Sequence, residues 1–186
     1  METTQITLIL QEIFSADKVE IKDEKTWQVN SSEVRLLVLL SADGNWLRVM
    51  TPISPQTEAQ PLLSALMEAN FAETEELRYA LAQDLLWGVF QHDFTTLTAT
   101  DFQTVVTKMV ALKNKGLSEA FQQLVQQRVK QIIRAAKAQG QSKEATFKNL
   151  ERFYQEGMLG DLDRDPQERE DFLAAWQRQL ERFWDE

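Results

Sequence analysis

The chain has 186 residues, 43% of them hydrophobic, enough for one domain with an appendage or two very small domains. It contains no cysteine, which excludes disulfides and thiolate chemistry. Its net charge of −9 is unevenly placed: residues 1–107 carry 6 Lys/Arg against 16 Asp/Glu, residues 108–148 carry 9 against 2, and residues 149–186 carry 5 against 11. A basic middle between two acidic ends attracts an acidic partner or is neutralised by its own neighbours.

Met1-Glu2-Thr3-Thr4 offers no basic leader, and no window approaches the roughly 18 consecutive apolar residues of a membrane span, so the expected location is the cytoplasm. Ile6, Ile9, Leu10, Ile13 and Phe14 recur at helical spacing and predict an amphipathic helix over 3–14, ended by Ser15-Ala16-Asp17. Trp27 and Val29 alternate in a first strand over 25–31. Val34 to Leu40 and Trp46 to Pro52 flank Asp43-Gly44-Asn45, a hairpin signal that supplies strands two and three. Val34 to Leu40 is apolar in both registers, whereas a strand with one wet face alternates; both sheet faces therefore call for cover. The chain's own helices supply one cover, and a second subunit, a client or the chain's own tail supplies the other.

Pro52, Pro55 and Pro61 mark a loop, and Pro61 opens a helix that runs to about Asn70. Residues 77–82 and 85–90 read as strands four and five, joined at Gln83-Asp84. Thr98 with Asp101 three residues on reads as the cap of a helix carrying Phe102, Val105, Val106 and Met109, with a bend at Gly116. A second helical run follows, from about Leu117 to Gln139. Gly140-Gln141-Ser142 is the best boundary in the chain, with Gly140 ending one helix and Ser142 capping the next, over 143–157. An acidic loop over 157–166 and a last helix over 167–184 complete the chain, which shows no internal repeat. The predicted division is an α+β domain over 1–140 and an acidic helical extension over 141–186.

The order helix, three strands, helix, two strands, long helix resembles the type III secretion chaperone-like fold and, within it, the YbjN-like proteins. The local echoes are Leu77-Arg78-Tyr79-Ala80-Leu81 with Leu86-Trp87-Gly88-Val89-Phe90, and Phe94 to Phe102 at the entry to the long helix. The resemblance covers roughly residues 3–115. It implies an α+β antiparallel-sheet domain, commonly a homodimer, that binds protein segments without catalysis.

Candidate chemistry is sparse. His92 is the only histidine; with Asp93 it could form half of an acid–base pair or a metal site, yet one histidine without cysteine builds no typical zinc site, and a capping or solvated residue is the plainer reading. Asp161-Leu162-Asp163-Arg164-Asp165 puts carboxylates at alternate positions but lacks the glycine and closing glutamate of a calcium loop. No phosphate-binding glycine motif and no Gly-x-Ser-x-Gly is present. The expectation is therefore a non-enzymatic protein without cofactor or metal. Candidate partner-binding residues are Trp27, Trp46, Met50, Trp87 and Phe90, all on predicted strands, because tryptophan is enriched at interfaces; ordinary core packing is the plainer alternative for the tryptophans, and those that share the outer sheet face are the candidates. Arg128, Lys130, Arg134 and Lys137 form a basic helix patch. The rival function is a regulatory module contacting nucleic acid or an anionic membrane surface through that patch, although the acidity of the rest of the chain disfavours a polyanion.

Overall fold

The computed structural model describes residues 1–155, 174 and 177–184. The chain forms two compact units, residues 1–121 and 122–186. The boundary predicted at residue 140 thus falls inside the second unit.

In the first unit, α1 (Thr3–Phe14) turns the Ile6, Ile9, Leu10 stripe inward. It ends at Ser15, whose φ of 68° stops the helix. Six strands follow: β1 (Val19–Asp23), β2 (Thr26–Asn30), β3 (Arg35–Leu40), β4 (Trp46–Pro55), β5 (Arg78–Ala82) and β6 (Leu85–Asp93). They form one antiparallel sheet in the order β1-β2-β3-β4-β6-β5. The α+β class is as predicted, with one strand more than expected. β1 was missed because Glu20, Lys22 and Asp23 make it polar. It is an exposed edge strand bonded on one side to β2, so little hydrophobic signal is required of it.

The β3–β4 hairpin forms where the Asp-Gly-Asn signal placed it. Gly44 takes φ +76°, and the Asp43 carboxylate accepts from Ser41 Oγ, Asn45 N and Asn45 Nδ2. Those bonds, the Ser41 hydroxyl first, hold Asp43 below its ordinary pKa of 3.8. Contrary to the predicted loop, β4 continues through Pro52 to Pro55. Its registered pairing with β3 ends at Met50, and a bulge separates Pro52 from Ser54, so the missing proline N–H interrupts no β3 ladder bond.

After β4 come α2 (Gln56–Ala59), a 3₁₀ turn holding Pro61, and α3 (Leu63–Ala72). α4 (Ala99–Lys115) is capped by Thr98, whose hydroxyl accepts from Asp101 N at 3.1 Å. The Asp101 carboxylate accepts from the Thr98 hydroxyl rather than from its backbone N–H, which a longer glutamate would reach. At Gly116, φ +56°, the helix ends outright instead of bending. α1 and α4 cover one sheet face: Trp27 Nε1 donates to Thr7 Oγ1 at 2.8 Å, and Leu112 and Met109 of α4 press on Gly88.

α5 (Ser118–Ala138) runs into the second unit and ends at Gly140, φ +67°. Gln141 N donates to Ala136 O, and Ser142 Oγ accepts from Ala145 N at the head of α6 (Lys143–Gln155), as the boundary motif predicted. The core of this unit gathers Val125, Val129 and Ile133 with Leu180 and Phe183. The predicted acidic loop and the first part of the last helix lie outside the described residues. Among the described residues no helix is long and apolar enough to cross a membrane.

Candidate partner-binding surface

Register sorts the strand residues into two faces. Trp27, Val29, Leu36, Val38, Leu47, Val49, Thr51, Leu86, Gly88 and Phe90 share the face under α1 and α4. The opposite face carries Leu37 and Leu39 on β3, Trp46, Arg48, Met50 and Pro52 on β4, and Leu85, Trp87, Val89 and Gln91 on β6. Leu37 pairs with Met50 and Met50 with Val89, while Pro52 pairs with Trp87, so these side chains run as a continuous apolar row across three strands. All of them keep solvent contact: the row is half-buried, and Trp46 is 55% exposed. A shallow concavity of about 500 Å³ opens at one end, lined by Leu39, Trp46, Arg48 and Gln91 among others.

The five predicted strand residues therefore separate. Trp46, Met50 and Trp87 belong to the outer face. Trp27 and Phe90, 2% and 3% exposed, are core residues under the helices, and the reading that grouped them with the surface is corrected. The period of two decides this: Trp27 pairs with Val38 and Phe90 with Val49, both inward, and the sequence alone does not say which register faces the helices. Trp87 Nε1 donates to Ala82 O of β5 at 2.9 Å.

A second apolar surface was not foreseen. On α3, Phe71 is 96% exposed and Met67 49%, beside Leu63. Helical spacing holds the signal: Ala65, Leu66 and Ala69 are the buried stripe, and Met67 and Phe71, four apart, fall off it.

Other candidates resolve differently. His92 Nδ1 lies 2.8 Å from the Asp93 backbone oxygen, and its ring stacks on Phe90. The Asp93 carboxylate instead accepts from Thr95 Oγ1 and N; these bonds, the hydroxyl first, hold it below its ordinary 3.8. The two side chains are thus not hydrogen-bonded to each other. Among the described residues no three His, Asp or Glu side chains gather as a metal site. The Asp161–Asp165 run lies outside the described residues.

The basic patch lies in the second unit. Lys130 Nζ stands 4.3 Å over the Phe183 ring and Lys137 Nζ 5.8 Å over Trp184, cation–π contacts that give both charges an internal neighbour. Arg128 and Arg134 are exposed. Earlier in the basic segment, Lys108 bridges Glu75 and Glu76, and Lys115 bridges Glu73 and Glu119. There the positive segment does meet the chain's own acidic residues.

No protein-family model matches the chain, and no curated protein does. Solved structures are similar to part of it. The ExsC–ExsE complex matches with a TM-score of 0.47 at 15% identity, over 60% of this chain and 90% of that one. The HopA1–SchA chaperone–effector complex matches at 0.45 and 11%, over 62% and 97%. The Yersinia pestis type III secretion chaperone SycH, in complex with a fragment of YscM2, matches at 0.47 and 13%, over 61% and 98%.

Proposed function

We propose that this protein is a non-catalytic, chaperone-like or adaptor module that holds an apolar segment of a partner protein against its sheet and helix surfaces, and that it works as a homodimer. The observation that carries the reading is the row Leu37, Met50, Val89, Pro52 and Trp87, with Leu39 beside it and Trp46 beyond the Arg48–Gln91 pair: a strand face rich in large apolar groups that solvent still reaches. Monomeric proteins seldom leave contiguous apolar patches beyond a few hundred Å² without a partner. The exposed Phe71 and Met67 on α3 add a second anchor of the same chemistry.

The test is binding of extended apolar peptides by fluorescence anisotropy, at low and at 1 M salt. Met50→Glu puts a charge in the middle of the row without touching the core, and it should weaken binding at least tenfold, with little dependence on salt. Binding unchanged by Met50→Glu refutes this assignment of the surface. Binding that collapses with salt and requires Arg128 and Arg134 would move the function to the basic helix.

A further inference from the structure

The two edges of the sheet are finished differently. β1 ends the sheet as an exposed, charged strand. β5, at the other end, has a side chain seated where a neighbouring strand would be. Tyr79 pairs with Gly88 on β6, and its backbone N–H and C=O both turn outward to one residue of α3: Tyr79 N donates to Asn70 Oδ1 at 2.7 Å, and Asn70 Nδ2 donates to Tyr79 O at 3.1 Å. The primary amide thereby makes the two bonds of a hydrogen-bonded pair in an antiparallel ladder.

We propose that Asn70 is the latch of an edge guard: it holds α3 against β5 and keeps β5 from pairing with the β5 of a second copy. The register of such a pair follows from the alternation of the strand. Tyr79 and Leu81 both direct their backbone groups outward. A two-fold antiparallel pairing centred on Ala80 sets Tyr79 opposite the second copy's Leu81, and the reverse, so all the outward groups are used. Small Ala80 lies on the axis, and Arg78 faces Ala82, with no like charges opposed. An unguarded β5 is therefore self-complementary.

Hydrogen exchange and light scattering on the full chain test it together. Asn70→Ala should speed exchange of the Tyr79 amide at least tenfold and add a concentration-dependent increase in mass relative to wild type. Adding Leu81→Pro, which removes an outward N–H while leaving the bonds to β6, should return the mass to the wild-type value. Leu81→Pro alone should keep the wild-type mass and melting curve. A Tyr79 amide that stays protected, a mass that does not rise, or an association that survives Leu81→Pro would each overturn the inference. If Asn70→Ala does not fold, Asn70→Ser, too short to reach both groups, is read by the same criteria.

Discussion

Single atoms decide two positions. A Cβ on Gly88 would stand 2.8 Å from Leu112 Cδ2, 3.1 Å from Met109 Sδ and 3.3 Å from Thr51 Cγ2. Glycine there is a packing requirement, since its backbone conformation is ordinary and α4 approaches the sheet at that point. Gly88→Ala should cost about 1–2 kcal/mol in urea unfolding, the usual penalty of overpacking; an unchanged midpoint would show that α4 yields freely. The opposite case is the β5–β6 turn, where Gln83 and Asp84 hold φ of 52° and 59°. Both are left-handed, the hairpin geometry that Asn-Gly prefers. Asp84→Gly relieves the strain and keeps the Asp84 carbonyl that accepts from Gln56 N. It should raise stability by about 0.5–1 kcal/mol; a loss would mean the Asp84 side chain contributes something the backbone does not.

Between elements, the connection from α3 to β5 is held to α4 by charge. Burial pushes Glu76 upward, but the Lys108 hydrogen bond, its own backbone amide and the Lys108 charge together outweigh this and hold the carboxyl below its ordinary 4.5. Lys108 is raised above 10.5 in turn, by its bonds to Glu75 first and Glu76 second. A carboxyl with a depressed folded pKa contributes stability that is present above its unfolded pKa and lost as pH falls through the folded one. Stability should therefore decline below about pH 4.5, and Lys108→Gln should flatten that decline by removing the partner. Melts at pH 7, 4.5 and 3 check this; identical acid slopes would rule out the pair. At the N-terminus of α4, Thr98→Ala removes the acceptor for Asp101 N and should cost about 1 kcal/mol, measurable as a lower urea midpoint.

At the scale of the whole chain, the first unit has its own sheet, helices and core, all within residues 1–121. A chain ending at residue 121 should unfold cooperatively, with Trp27 buried as in the full protein. If only a chain ending at 140 folds, α5 is part of the first core and the division belongs at the Gly140 break. Light scattering on the full chain should give about twice 21.5 kDa if the proposed homodimer forms; a monomer at high concentration would remove that part of the reading.

Local patterns were enough for most of the elements. The Ile6, Ile9, Leu10 spacing, the Thr98 cap, the Asp43-Gly44-Asn45 turn and the Gly140-Gln141-Ser142 stop all act within a few residues, so their physics is complete in the chain. Strand β1 escaped because an edge strand has a neighbour on only one side and needs few apolar residues. The surface was legible only in part. That Val34 to Leu40 is apolar on both sides can be read directly, but which of Trp27, Trp46, Met50, Trp87 and Phe90 faces outward depends on strand register and on where α1 and α4 land. Those are long-range contacts, and a shift of one residue would exchange the two faces. The same holds for Asn70, an ordinary helical asparagine until the fold brings it beside the unpaired edge of Tyr79.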